Sequence, residues 1–280
     1  MTSNRDRQRA TARARLEREM AERAEQHAKS RRTRTVVLAG AGTLVVLLAV
    51  VWIIVAVGGD KKKTPVAAAS ASGSATPTSC QWLPLIDPSA SPKQTLPAQV
   101  KDVGTPPATG EKRTGTELMT ITTNLGDIKV EMDAAHAPCA TASFAYLAGK
   151  KFFDNSKCHR LVTNGIYVLQ CGDPSATGMG GPNYRYAEEN LPTGDRPAYP
   201  EGTVAIAKTS NPSTSGSQFF IVYKDTNLDA NYTILGHVTA GLDLVKKVAD
   251  AGVVVDPSAQ SQGDGAPKME IDIKTMTVTP

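Results

Sequence analysis

Hydrophobic and polar positions follow different rules in different stretches of the 280-residue chain. From Thr116 onward, apolar residues recur at every second position over short runs broken by Gly, Asn, Asp and Pro. Glu117–Thr123 and Asp127–Asp133 alternate around Asn124-Leu125-Gly126 and predict a hairpin. Six further strands are predicted at Lys157–Val162, Gly165–Gln170, Gly202–Ala207, Gln218–Tyr223, Thr233–Val238 and Glu270–Val278. The spacing over Pro138–Gly149, with Pro near the start and Gly at the stop, predicts a helix, and Leu242–Asp250 predicts a second. Eight short strands and two helices point to a mainly β fold, a closed eight-stranded antiparallel barrel whose ends the helices cover. Closure removes exposed strand edges.

Upstream the pattern is of another kind. Residues 36–57 read VVLAGAGTLVVLLAVVWIIVAV, 22 residues without a charge. As a helix they would extend roughly 33 Å, which matches a hydrocarbon core of about 30 Å. A cleavable signal peptide is the rival, since Ala67, Ala68 and Ala69 follow. Against it stand a long apolar run, a 35-residue leader, and Lys61, Lys62 and Lys63 ahead of any cleavage point. The expectation is one uncleaved transmembrane helix. Lys29, Arg31, Arg32 and Arg34 adjoin its N-terminal end, so the positive-inside rule puts residues 1–35 in the cytoplasm and the rest outside the plasma membrane.

Composition sharpens this division. Residues 1–35 hold 11 of the 31 Lys and Arg but five of the 27 acids, so the formal charge of +4 belongs to a leader and everything after it is slightly acidic. The charge therefore does not favour a nucleic-acid partner. Residues 58–115 contain eight of the 18 prolines, with much Ala, Ser and Thr and a single aromatic, Trp82. Such a stretch buries little apolar surface and reads as an extended spacer, with Cys80 to Ile86 as an island able to pack on the domain. Twelve of the 14 aromatics fall between Phe144 and Tyr232, so the core belongs to one domain over 116–280. Two globular domains and a small disulfide-dense scaffold are excluded.

The usual catalytic constellations are missing. His27, His136, His159 and His237 have no ligand spacing, and no C-x-x-C, H-E-x-x-H, G-x-S-x-G or Walker sequence occurs. Gly178-Met-Gly-Gly181 is not led in by an apolar strand and reads as a turn. No metal or organic cofactor is implied.

Seven fragments carry the functional information instead: TNLGDIKVEM (123–132), CHRLV (158–162), YVLQCGDP (167–174), TGMGGPNY (177–184), GTVAIAK (202–208), GSQFFIV (216–222) and NLDANYTILGHV (227–238). In this order and spacing the chain resembles the cyclophilins, peptidyl-prolyl cis-trans isomerases, over essentially all of 117–280. The layout as a whole resembles the membrane-anchored, extracytoplasmic cyclophilins of high-GC Gram-positive bacteria. The resemblance implies an eight-stranded barrel with a substrate groove on its outer face and proline-containing polypeptides as partners, the catalytic domain acting as a monomer.

Residue by residue, it implies that Arg160 is the catalytic cation, oriented by Gln170, with His159 beside it. Phe220 and Leu228 match positions that wall the proline pocket, and Gln218 and Ala207 match groove positions. The chain departs from the family in several places. Cys158 replaces the Phe that usually precedes His-Arg, and two extra residues lie between Arg160 and Gln170. Tyr167 and Val168 stand for Phe and Met, Lys208 for Asn, Asn227 for Trp and Tyr232 for His. Loss of the Trp lowers the expected affinity for cyclosporin. An alternative reading keeps the fold but makes the groove a binding module that docks Pro-containing partners with little turnover.

The four cysteines suit an oxidising compartment. Cys158 and Cys171 fall on strands expected to pair, which suggests a cross-strand bridge, and Cys80 with Cys139 would complete the set. Four reduced thiols are the other possibility.

Overall fold

A computed structural model gives the architecture and describes residues 79–87, 89, 91–194, 197–254 and 263–280. The chain divides into two units, Met1–Gly73 and Ser74–Pro280, and every described residue lies in the second. The expected leader 1–35, apolar run 36–57 and first part of the spacer lie outside the described residues. Among the described residues no helix is long and apolar enough to cross a membrane.

The strands are, in chain order, β1 (Leu83–Pro84), β2 (Val100–Lys101), β3 (Thr116–Thr123), β4 (Asp127–Asp133), β5 (Ser156–Lys157), β6 (Arg160–Val162) and β7 (Val168–Cys171). They continue as β8 (Gly181–Pro182), β9 (Tyr184–Arg185), β10 (Thr203–Ile206), β11 (Phe219–Val222), β12 (Ile234–Ala240), β13 (Asp264–Gly265) and β14 (Asp272–Thr279). Helix α1 spans Pro138–Gly149 and α2 spans Leu242–Ala251.

Ten strands make one curled sheet in the order β13-β6-β7-β11-β10-β12-β4-β3-β14-β5. The expectation was a closed barrel of eight; the ladder instead runs open from β13 to β5, and the larger strand number has two causes. The run expected as one strand over Lys157–Val162 is two: Ser156 and Lys157 pair with β14, whereas Arg160 to Val162 pair with β7. Cys158 and His159 make the change of partner, their N–H groups donating to Ile271 O and Gln170 O at 3.1 Å each. The other addition is β13, which pairs with β6 at Asp264↔Val162 and Gly265↔Leu161. It comes from a Gly- and Asp-rich loop with no apolar alternation to announce it.

Alternation settles which residues enter the core. Met119 and Ile121 on β3 and Ile128, Val130 and Met132 on β4 are buried, with partly or fully exposed residues between them. Gly236 on β12 lies so close to β4 that a Cβ there would run into the Glu131 carbonyl. Helix α1 buries Phe144 and Leu147 among small residues that let it approach the sheet. Phe144 stacks on Phe153 at 5.4 Å and meets the edge of Phe219 at 5.7 Å. Strands β10 and β11 differ from the rest in being buried on both faces. Their second face supplies the floor of the site.

Residues 80–108 make specific contacts with this unit. Cys80 is disulfide-bonded to Cys139 on α1. The Trp82 indole packs edge-on against Tyr184 and Tyr186, at 5.4 and 5.6 Å, and its Nε1–H donates to Pro107 O at 3.1 Å. Strand β1 pairs antiparallel with β9, β2 pairs parallel with β8, and Tyr146 OH donates to Val103 O at 2.5 Å. Prolines make this strap look like a spacer in the sequence, because they shorten its strands to two residues each.

Near the disulfide, Glu189 reaches the N-terminus of α1, where Oε1 accepts the Ala140 N–H at 2.6 Å. Burial pushes its carboxyl up to about 7, against the opposing pull of the Ala140 and Cys139 N–H groups and of Arg113. The folded protein thus keeps a proton that the unfolded chain releases near pH 4.5, so stability falls as pH rises from about 4.5 to about 7. Glu189→Gln should remove that fall. Relative to wild type, its unfolding free energy should gain on the order of 2 kcal/mol between pH 4.5 and 7.5, and parallel pH profiles for the two proteins would refute the assignment.

The Cys80–Cys139 bridge closes a separation of 59 residues. Chain-entropy arguments value a loop of that size at about 4 kcal/mol, and typical measured effects are about 2–4 kcal/mol. Cys80→Ala/Cys139→Ala should lower the denaturant midpoint correspondingly when unfolding is followed by tryptophan fluorescence. An unchanged midpoint would mean that the strap is held without the bridge.

Candidate active site

Strand register assembles the site. Arg160 pairs with Gln170, Gln170 with Phe220, and Phe220 with Ala205, giving one row across β6, β7, β11 and β10. Side chains in register on neighbouring strands project to the same face, and residues two apart along a strand share it. Val162, Val168 and Val222 therefore form a second row beside the first. These apolar residues join Tyr199 and Ala205 in a compact outer cluster, with Ile166, Ala207, Leu228 and Tyr232 packed around it. The intervening Leu161, Leu169 and Ile221 face the main core.

Three aromatic rings shape the floor. Phe220 meets Tyr232 at 5.6 Å and Tyr199 at 6.0 Å, and Tyr199 meets Tyr232 at 6.2 Å, all edge-on. Tyr199 is wholly buried, and its hydroxyl donates to Tyr232 O at 3.1 Å and accepts the Tyr232 N–H at 2.9 Å. Burial pushes that phenol up to about 12, so it remains a neutral strut under the 229–232 turn. Sequence reasoning missed Tyr199, which stands in a Pro-rich loop without periodicity. The aromatic count between Phe144 and Tyr232 was its only trace.

A polar seam borders the floor. Arg160 Nη1–H donates to Gln170 Oε1 at 3.1 Å, Gln170 Nε2–H to Gln218 Oε1 at 2.8 Å, and Gln218 Nε2–H to Gly178 O and Gly180 O at 3.0 and 2.9 Å. Beneath the glycine loop, Asp173 accepts the Ser175 and Gly180 N–H groups at 2.7 and 3.0 Å. A Cβ on Gly180 would collide with that carboxylate, which is why the turn requires glycine there. At the other end Asp264 accepts from Arg160 Nε–H at 2.8 Å and Nη2–H at 2.7 Å. This partner was also missed, since its strand carries no pattern. The Asp264 hydrogen bond raises the Arg160 guanidinium above its ordinary value, partly opposed by burial, and the side chain stays 41% exposed.

Among the other expected site residues, His159 sits against Gly178, with both ring nitrogens buried and without a hydrogen-bond partner. Burial lowers its pKa, which keeps the imidazole neutral around pH 7. Lys208 is almost covered, its Nζ 3.4 Å from Glu188 Oε1 and 5.9 Å from the Tyr232 ring centre. The structure does not bring Tyr167 into the outer cluster. That ring packs against Tyr223 at 6.0 Å with Lys224 Nζ at 4.4 Å, and the neighbouring Ile166 faces the cluster instead. Cys158 and Cys171 are disulfide-bonded next to the Arg160–Gln170 pair. A cavity of about 490 Å³ adjoins Gln170 and Gln218, its walls including Met179, Ala207 and Lys208, with Leu85 and Val100 from the strap. Among the described residues no group of three or more His, Cys, Asp and Glu could hold a metal ion.

The family model for the cyclophilin type peptidyl-prolyl cis-trans isomerase/CLD matches residues 118–278, more than half of the chain. The chain belongs to the cyclophilin family. This cyclophilin is 40% identical over 210 residues to the probable peptidyl-prolyl cis-trans isomerase B of Mycobacterium leprae (strain TN), with 71% of this chain and 66% of that protein covered. It is 38% identical over 209 residues to the protein of the same name from Mycobacterium tuberculosis (strain ATCC 25618 / H37Rv), covering 71% and 63%. The chain thus spans slightly less than two thirds of the length of these relatives, which fit the expected likeness to high-GC Gram-positive bacteria. Among solved structures it is similar to a Cryptosporidium parvum cyclophilin type peptidyl-prolyl cis-trans isomerase, with TM-score 0.50 and 28% identity over 59% of this chain and 98% of that one.

Proposed function

We propose that this cyclophilin accelerates cis–trans isomerisation of X-Pro bonds in polypeptides without covalent chemistry. The observation that carries the reading is the register row, which sets the Arg160 cation on the same face as the Phe220 ring, with Gln170 between them. Rotation about a prolyl amide faces a barrier of about 18–20 kcal/mol from resonance, and uncatalysed exchange takes tens to hundreds of seconds. No σ-bond breaks, so no nucleophile is needed. In the twisted state the prolyl nitrogen loses conjugation and gains a lone pair. A fixed cationic donor aimed at that nitrogen binds the twisted state more tightly than the planar one, which is the requirement for catalysis.

The proline ring would rest on Phe220, bounded by Leu228, Tyr232, Val168 and Ala207. Arg160 has five N–H donors. Asp264 engages two and Gln170 one, which leaves one on each terminal nitrogen for the substrate. Residues flanking the proline would extend past Gln170 and Gln218 into the adjoining cavity, and neutral His159 backs the glycine lip without charging it.

A protease-coupled assay with a short Ala-Pro peptide tests this reading. Wild type should accelerate exchange, and Arg160→Ala should lower kcat/KM by about 10²–10³, the usual effect of removing one such donor. Equal rates for the two proteins would sink the role of Arg160. Peptide binding with no acceleration would favour the docking-module alternative.

We further infer that residues 36–57 anchor the chain in the plasma membrane, with 1–35 cytoplasmic and the cyclophilin unit outside. The uncharged run, its basic flank and two disulfides in the unit support this orientation. Protease added to intact cells should degrade the cyclophilin unit, and its protection until lysis would refute the orientation.

A further inference from the structure

We propose that Asp264 is a positioning residue: its carboxylate sets the orientation of the Arg160 guanidinium, and the rest of the polar seam takes its direction from that group. The proposal rests on the isomerase reading of the same groove.

A single hydrogen bond leaves a guanidinium free to swing, whereas a two-point contact fixes its plane and its rotation within that plane. Asp264 makes the two-point contact, through Oδ1 to Nε–H at 2.8 Å and Oδ2 to Nη2–H at 2.7 Å. Among the described residues, no other carboxylate lies within ion-pair distance of Arg160. Everything further along the seam follows from donor and acceptor logic. Arginine can only donate, so Gln170 must present Oε1 to it. Gln170 Nε2 is then committed to Gln218 Oε1, and Gln218 Nε2 to the carbonyls of Gly178 and Gly180. Turning over either amide would set donor against donor or acceptor against acceptor. Fixing the guanidinium therefore fixes the lip of the groove three hydrogen bonds away.

The carboxylate is itself delivered by a held segment. Asp264 and Gly265 pair with Val162 and Leu161 on the strand that carries Arg160, and Thr163 N–H donates to Gly263 O at 2.7 Å. Gly263 has φ +89°, and a Cβ there would press on Thr163 Oγ1 at 2.9 Å, so the close approach depends on glycine. On the far side Val254 N–H donates to Ala266 O at 2.7 Å, beside a Val253↔Pro267 bridge.

Two effects of Asp264 oppose each other. It cancels part of the charge that Arg160 offers the twisted amide, and it aims the donors that remain. Arg160 is 41% exposed, so the loss of charge is screened by water, whereas misdirected donors lose their hydrogen bonds outright. Aim outweighs charge at this site.

The test uses the full chain with Asp264→Ala, Asp264→Asn and Asp264→Glu, read by kcat and KM on an Ala-Pro peptide, by the thermal midpoint, and by the NMR signal of the Arg160 Nε–H, assigned from its loss in Arg160→Lys. The Ala and Asn variants should lose about tenfold in kcat with KM within about twofold, the pattern of an interaction realised in the transition state. In both, the Nε–H resonance should move and exchange faster with water, and the Glu variant should recover most of both properties. An unchanged or raised kcat in Asp264→Ala or Asp264→Asn would overturn the proposal. So would an activity loss that follows KM or the thermal midpoint while the Nε–H signal stays as in wild type. If wild type itself shows no acceleration, the isomerase reading fails, and the Nε–H signal still decides whether Asp264 holds the guanidinium.

Discussion

Strands β10 and β11 have no solvent face, and the rest of the unit is arranged around that constraint. Val204, Ile206, Phe219 and Ile221 belong to the main core, so the alternate residues Ala205, Phe220 and Val222 need a cover of their own. An exposed pair of rows would forfeit roughly 1.5–3 kcal/mol for each large side chain left in water. A second sheet or a helix would bury the rows completely and leave no site. Here the cover is thin, built from Tyr199 and the turn carrying Leu228 and Tyr232. Phe220 remains only 4% exposed, so this cover holds its ring in place. The groove is the part of the second face that was never closed.

The same register explains why a cation can stand beside this apolar floor. Arg160 and Gln170 occupy the row of Phe220 and Ala205, at the side where the cover ends. There the guanidinium keeps contact with water and with Asp264, so it stays charged without full desolvation. A fully buried cation would be costly to hold, and a fully exposed one would be poorly aimed. Placement at the margin of a hydrophobic cluster resolves the conflict.

Much of this was legible in the sequence wherever one rule dominated locally. Period-two alternation located β3, β4 and β12 closely, and Pro138 and Gly149 marked both ends of α1. The fragments around Arg160, Gln170, Gln218 and Phe220 identified the residues that the register brings together. What escaped depended on partners distant in sequence. Lys157–Val162 reads as one strand, since no local property says that its halves pair with β14 and β7. Tyr199 and Asp264 lie in loops whose composition predicts only turns, and each matters through one contact made across the fold. Residues 80–108 look like spacer because strands of two residues carry no period. The two extra residues before Gln170 obscured which loop residue faces the groove, and it is Ile166 that joins the cluster rather than Tyr167.

The two disulfides stand where ladder hydrogen bonds give the least support. Cys80 begins a strap whose strands are two residues long, too short to hold it against the α1 side by pairing alone. Cys158 lies in the two-residue step at which the chain leaves β14 for β7, and its bridge to Cys171 ties that step to the far end of β7. Arg160 is two residues beyond it. Position along a strand determines which face a side chain takes, so a slip of one residue at this step would turn Arg160 into the core and bring Leu161 to the groove. A covalent tie at the change of partner, a carboxylate at the guanidinium and a row of amides beyond it act on one quantity, the placement of a single cation relative to Phe220. On the proposed isomerase reading, that quantity separates a groove that holds proline from one that turns its amide.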